Sequence, residues 1–346
     1  MSWKPQYTIS NKLLLTIREI GESIGEIRSQ RLTNSTLAKL ELTARELSTY
    51  ASTSIEGNPL PLTDVKRLLK NYKESIRDTE REVLNYNNAL QHLYKSVGQQ
   101  TFKLNIKTLE KVQKQVVDGL MDNPSHCGFL RQDPVIIRNP RKVDEVVFIP
   151  PDAKDVKPLV KELIGFVNDN FGKIDPIILA GIFHRQHVII HPFIDGNGRT
   201  TRLLTTTILG QTGLDLFKIF SFEDYYNRNI NRYFKAVGLQ GDYYDLKDEI
   251  DFSVWLEYFA EGILDELRRI VKILPEQSMI KPRLETHHQQ ILDYLSERES
   301  ITQREYGNIS QRSLAARKQD FEKLITLKLI QAKGVGRGTY YVLVMH

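Results

Sequence analysis

The segment from His191 to Arg202, HPFIDGNGRTTR, gathers a histidine, an aspartate, an asparagine, two glycines and two arginines. Histidine is the side chain whose ordinary pKa lets it accept a proton near neutral pH. Gly196 and Gly198 admit left-handed backbone angles, and the chain then enters the helical run RTTRLLTTTIL. A glycine turn aimed at a helix N-terminus presents backbone N–H groups and a positive dipole end, which together attract anions. Arg199 and Arg202 add guanidinium forks that suit phosphate oxygens. Asp195 beside a polyphosphate is the natural single-carboxylate ligand for Mg²⁺. The sum is phosphate chemistry with a histidine base. A rival reading takes His184, His187 and His191 as metal ligands on one helix face. Pro192 weighs against it, because the residue before a proline is pushed out of helical conformation and His191 then lies at or beyond the helix end.

The elements that position this segment are mostly helical. From Asn34, the residues Leu37, Leu40, Ala44, Leu47, Ala51 and Ile55 recur at helical spacing, with Asn34 or Ser35 as the cap and Gly57 and Pro59 as the stop. A second helix is predicted near Thr63 and a longer one through Glu82 to Tyr94. Between Gly128 and Pro151 two β-rich runs, Val135 to Ile137 and Val146 to Ile149, flank a polar turn at Asn139-Pro140 and predict a hairpin. Helical periodicity returns in DVKPLVKELIGFVNDN, PIILAGIFHRQHVII and RTTRLLTTTILGQTG. After a linker around Leu274 to Pro282, three short helices and a Gly-rich hairpin with alternating Tyr340, Val342 and Val344 predict a winged helix-turn-helix. The predicted divisions are 1–105, 106–275 and 281–346.

HPFIDGNGRTTR fits the signature HPFx[D/E]GNGRxxR, and the chain resembles the Fic family of nucleotidyltransferases through AGIFHRQHVIIHPF, VVFIPP and NRYFKAV, over about residues 110–245, with a more diffuse likeness from Leu37 to Leu69. The resemblance implies a Fic-type helical core with a β-hairpin flap, and transfer of AMP from ATP to a Ser, Thr or Tyr hydroxyl of a target protein, the protein itself included. It makes His191 the general base and Asp195 the Mg²⁺ ligand. Gly196, Asn197, Gly198, Arg199, Thr200 and Thr201 cradle the phosphates, and Arg202 takes the γ-phosphate. Tyr233 and Phe234 match the pair near adenine and ribose, with phenylalanine where tyrosine is more usual. Glu145, Val146, Val147, Phe148 and Ile149 form the flap that aligns the target by strand addition. Ser52 to Gly57 fits the family's inhibitory signature [S/T]xxxE[G/N], which implies a Glu56–Arg202 pair that withdraws Arg202 from the γ-phosphate. Helix physics adds a hint of its own: Glu56 sits in the last turn, where the macrodipole disfavours a carboxylate by about 0.3 to 1 kcal/mol, so the acid wants a cation. Control of this inhibition by a homodimer is a further implication, and UMP or phosphocholine transfer is the alternative chemistry of the same fold.

Composition narrows the remaining classes. The chain has 346 residues, 40% of them hydrophobic and 26% charged, with a net charge of +5 and one cysteine, Cys127. No intrachain disulfide or multi-cysteine zinc site is available, and no apolar run has membrane length, so a cytoplasmic protein without a membrane partner is expected. From Ile301 onward eight residues are basic and three acidic, so the whole basic excess lies at the tail. That charge predicts a winged helix that meets DNA through Arg312, Arg317, Lys318 and a minor-groove Arg337, or else recruits a protein or dimerises. A DNA-binding regulator with a nucleotide-sensing core is the rival function.

Overall fold

The computed structural model describes residues 3–30, 32–70, 76–139, 142–214, 216–278, 284–327, 329–334 and 336–344. The chain divides into two compact units, Met1–Leu274 and Pro275–His346.

The first unit is helical with one small sheet. Its elements are α1 (Asn11–Ser29), α2 (Asn34–Ile55), α3 (Leu62–Lys70), α4 (Asp78–Gly98), α5 (Ile106–Val117), β1 (Ile137–Asn139), β2 (Lys142–Ile149), α6 (Ala153–Asp169), α7 (Pro176–Ile190), α8 (Asn197–Gln211), α9 (Phe222–Arg228), α10 (Ile230–Val237), β3 (Gly241–Asp242), α11 (Tyr243–Leu246) and α12 (Ser253–Ser278). One continuous core joins Leu40 and Ile55 of α2 and Tyr86 of α4 to the buried faces of α5 to α12.

Helices α7 and α8 form its centre. Every residue of α7 from Ile177 to Ile190 is buried except Val188. Gly181 lets α12 approach closely: a Cβ there would lie 2.7 Å from Leu256 Cδ2, and Trp255 Nε1 donates to the Gly181 carbonyl at 2.7 Å. Helix α8 buries threonines without loss because their hydroxyls donate to carbonyls one turn back. Thr201 reaches Asn197 O at 2.7 Å, Thr205 reaches Thr201 O at 2.7 Å and Thr207 reaches Leu203 O at 2.7 Å.

Several expected boundaries move. The cap of α2 is Thr33, whose backbone is extended and whose hydroxyl accepts from Thr36 N at 3.2 Å, rather than Asn34 or Ser35, which are already helical. Helix α8 begins at Asn197, two residues before the run read from its apolar period. Val135 and Ile136 are not strand: β1 starts at Ile137 and is irregular, with register shifts against β2, which starts at Lys142. Pro140, in the expected turn, lies outside the described residues. The sheet order is β1-β2-β3, with β3 parallel to β2 at Phe148 and Ile149.

The second unit contains α13 (Thr286–Glu297), α14 (Gln303–Ile309), α15 (Leu314–Thr326), β4 (Ile330–Lys333) and β5 (Tyr340–Leu343), with β4 and β5 antiparallel. Ile291, Leu295, Ile301, Tyr306, Phe321, Leu324, Ile330 and Tyr341 form its own core. The hairpin phase differs from the predicted one: Tyr341 stacks on Phe321 with ring centroids 3.9 Å apart, and Tyr340 faces solvent. Arg312 and Arg317 are also not free for phosphates. Arg312 Nε lies 2.6 Å from the buried Asp320 carboxylate, and Arg317 Nε donates to Arg312 O at 2.8 Å. Lys328 lies outside the described residues, as do residues 279–283 of the expected linker, and the Arg337 side chain is not described.

Candidate active site

The site is built where α7 ends and α8 begins. His191 closes α7 in the left-handed region, with φ of 50°, a conformation uncommon for a residue with a Cβ. Its backbone is held by Arg131, a buried arginine absent from the sequence reading. Arg131 Nε donates to His191 O at 2.8 Å, Nη1 to Asp133 O at 3.1 Å and Nη2 to the carbonyl of Pro151, while its backbone N–H donates to Pro192 O at 2.9 Å. The imidazole Nδ1–H donates to Val188 O at 3.3 Å, which leaves the Nε2 lone pair as the proton acceptor. Burial pushes the imidazole pKa down to about 4, with Arg131 adding to the shift while the Val188 hydrogen bond, Glu56 and Asp195 oppose it. His191 is therefore neutral at physiological pH.

The loop that follows is pinned by side chains of the same segment and of α5. Asn197 Nδ2 donates to Phe193 O at 2.7 Å and its Oδ1 accepts from Phe193 N at 2.9 Å. Gln113 Nε2 donates to Asp195 O at 3.1 Å. Gly196 has φ of 79° and packs so closely on Val117 that a Cβ would lie 2.7 Å from Val117 Cγ1. No side chain caps the first turn of α8, so its N–H groups face the loop, as an anion site needs.

The expected phosphate residues divide into two sets. Arg199 and Arg202 carry charge at the loop. Thr200 and Thr201 are buried; Thr201 Oγ1 accepts from His187 Nδ1 at 2.7 Å, so its hydroxyl serves the α7–α8 contact rather than the phosphate side. The Asn197 amide likewise holds the loop's own backbone. The Thr201 and Asn197 side chains thus brace the cradle's own backbone, and the Thr200 hydroxyl is buried without a partner.

Arg202, almost fully buried, makes three bonds to α2: Nε to Ser52 Oγ at 2.7 Å, Nη2 to Ser52 O at 2.9 Å and Nη2 to Glu56 Oε1 at 2.7 Å. Glu56 is the C-cap of α2, as its sequence position implied, and Gly57 follows with φ of 97°. Burial raises the Glu56 pKa, but Arg202 and Arg199 outweigh it and hold the carboxyl below the ordinary range. The carboxylate lies over Gly198, where a Cβ would collide with Glu56 Oε1. Asp195 is more than half exposed, and Arg199 Nη2 donates to its Oδ2 at 3.1 Å. An exposed hard oxygen ligand beside a cationic anion site fits Mg²⁺ carried on a phosphate chain.

Tyr233 and Phe234 diverge. Tyr233 is buried, stacks on Tyr226 with centroids 4.6 Å apart and donates to His184 Nε2 at 3.3 Å, whereas Phe234 is exposed. Within the flap strand Phe148 is a core residue, and Glu145, Val146 and Ile149 are exposed. The histidine metal site does not form. His184 Nδ1 lies 3.2 Å from Thr205 Oγ1, and burial drives its pKa well below the ordinary value and that of His187 to about 3. Among the described residues the group close enough to share an ion is His287, His288 and Asp320. Asp320 is already neutralised by Arg312, and His288 Nδ1 accepts the Glu285 N–H at 3.1 Å, which puts the ring proton on Nε2 where a metal would bind.

Two further residues went unseen in the sequence. Glu82 of α4 pairs with Arg199 Nη1 at 2.7 Å, and Glu223 of α9 is a buried carboxylate that accepts from Tyr86 at 3.1 Å and Ser221 at 2.8 Å. Each lies on a helix whose period signals burial but not the cross-helix partner.

A helical core with a histidine at one helix end and a glycine-arginine loop at the start of the next has the geometry and charge to hold an anion. Residues 103–209 match the Fic/DOC family. It is similar to a protein adenylyltransferase Fic of Drosophila willistoni, 30% identical over 52% of this chain and 35% of that protein, and to protein adenylyltransferase fic-1 of Caenorhabditis elegans, 26% identical over 59% and 39%. The chain thus spans under half the length of these relatives. Among solved structures, a Fic family protein from Desulfovibrio desulfuricans G20 superposes with a TM-score of 0.64 at 20% identity over 99% of this chain and 98% of that one. Fic-1 (residues 134–508) from C. elegans gives 0.58 at 19% identity over 76% and 74%. These likenesses establish the fold.

Proposed function

We propose that the protein is a nucleotidyltransferase that moves AMP from ATP to a hydroxyl of a target protein, and that α2 holds it inhibited. The observation that carries the reading is the site's composition: a neutral His191 with its Nε2 lone pair available, next to an uncapped helix start bearing Arg199 and Arg202. His191 Nε2 accepts the hydroxyl proton as the target oxygen forms a bond to the α-phosphorus, the bond from that phosphorus to the bridging oxygen breaks, and pyrophosphate leaves. The α8 N-terminus and Arg199 stabilise the phosphate charge. Mg²⁺ at Asp195 would supply neutralisation of the triphosphate. Arg202 would bind the γ-phosphate once Glu56 withdraws, and the exposed side chains of β2 would meet the target. Self-modification and a homodimer belong to the same reading.

The test compares α-labelled with γ-labelled ATP in a lysate, using wild type, Glu56→Gly and His191→Ala. Protein bands with α-label only, strongest in Glu56→Gly and absent in His191→Ala, are expected. Equal labelling by wild type and Glu56→Gly refutes the inhibition. Absence of α-label in every variant turns the donor to UTP or a phosphocholine carrier. The C-terminal unit supports a second role in DNA binding, through the exposed Arg304, Lys318 and Lys333. With Arg312 and Arg317 engaged internally, a shallow salt dependence of duplex affinity is expected, and none at all assigns the unit to protein contacts. Among the described residues no helix is long and apolar enough to cross a membrane.

A further inference from the structure

Arg199 is gripped on two sides. Its Nη1 lies 2.7 Å from Glu82 Oε1, its Nη2 lies 3.1 Å from Asp195 Oδ2, and its buried Nε–H has no partner. Glu82 is itself held, because Asn58 Nδ2 donates to its Oε2 at 2.7 Å and to Thr79 O at 2.8 Å. Asn58 is buried, two residues beyond Glu56. The turn that ends α2 therefore touches both arginines of the loop, Arg202 directly through Glu56 and Arg199 through Asn58 and Glu82.

The charges explain what Glu82 does. A buried guanidinium needs a counter-charge, and the two acids that pair with it directly are Glu82, mostly shielded from water, and Asp195, more than half exposed, with Glu56 acting at longer range. With Glu82 in place, Asp195 shares Arg199 and keeps oxygen lone pairs for other partners. Without it, and with Glu56 removed, Asp195 becomes the sole counter-ion and is drawn fully onto the arginine.

We propose that Glu82 is a positioning residue of the phosphate site: by holding Arg199 it keeps the Asp195 carboxylate available to a divalent cation accompanying the nucleotide. The inference rests on the nucleotide reading above. Asn58 orients Glu82, so the inhibitory turn sets the posture of Arg199 as well as that of Arg202.

The full chain carrying Glu56→Gly is titrated with ATP by calorimetry, first without divalent metal and then across a Mg²⁺ series, with and without Glu82→Ala or Glu82→Gln. Glu82→Ala is expected to raise the Mg²⁺ midpoint for ATP binding about tenfold, as loss of the partner behind a metal ligand does, a larger change than any in metal-free ATP binding. Glu82→Gln keeps the shape and an oxygen acceptor for Arg199 but not the charge, and is expected to raise the midpoint much as Glu82→Ala does, which also decides the matter where the alanine variant does not fold. An unchanged midpoint, or an equal loss of metal-free and metal-assisted binding in both variants, overturns the proposal for Glu82. A Glu56→Gly parent that binds no ATP under any condition overturns the nucleotide reading, and this inference with it.

Discussion

His191 shows how one side chain acquires its chemistry from its surroundings. Its Nδ1–H is committed to Val188 O and burial lowers its pKa to about 4, so the neutral, proton-accepting form dominates across the physiological range. A base that titrates near 4 loses function only as pH falls through that value. The kcat/KM of Glu56→Gly for AMP transfer is expected to stay level from about pH 8 to 5.5 and to drop below it; a midpoint near 6.5 would show that the imidazole is not desolvated. Because Glu56 raises the imidazole pKa, its removal moves the acid limb lower still.

At the scale of elements, two helix ends face each other across a loop and each needs help from elsewhere. The carbonyl of the left-handed His191, and at 3.5 Å that of Ile190 at the end of α7, are held by Arg131, whose guanidinium is buried and makes its bonds to main-chain oxygens. Arg131→Met would leave those oxygens without donors in a dry interior. A loss of about 3 kcal/mol or more is expected, read as a lower thermal midpoint of the Met1–Leu274 unit, together with loss of AMP transfer. Retention of the midpoint would mean that water replaces the guanidinium. Sequence periodicity located α2, α7 and α8 well because each repeats apolar residues at helical spacing. It could not locate Arg131 or Gln113, because a side chain that bonds to a distant carbonyl leaves no periodic trace.

Across the whole molecule, the packing of α7 on α8 depends on neutral histidines. His187 is buried with a pKa pushed down to about 3, against an ordinary value near 6.5 in the unfolded chain. Its contribution is fully present above pH 6.5 and is lost as pH falls from there toward about 3, since the unfolded state binds the proton first. The urea midpoint is expected to fall between pH 7 and about 4.5 by an amount worth a few kcal/mol, and His187→Gln to flatten that slope. An unchanged slope in the variant would assign the acid sensitivity to other groups. The separate core of the C-terminal unit, from Ile291 to Tyr341, predicts a second transition insensitive to His187.

Residue type and spacing were enough to place α2, α7 and α8, the glycine-arginine turn with a histidine ahead of it and the acid at the end of α2, because each is a local pattern; α1, α5 and α9 to α12 were not located from them. Gly57 ends a helix and thereby places Glu56, and Pro192 takes His191 out of α7. The Arg202–Glu56 pair, 146 positions apart in the chain and 2.7 Å across, followed from the family resemblance and not from residue spacing. The other partners came from packing alone. Thr201 turns toward His187, Tyr233 parts from Phe234, and Glu82 closes on Arg199, since in a close-packed interior the direction of a side chain is set by the helix it packs against and not by its neighbours in sequence.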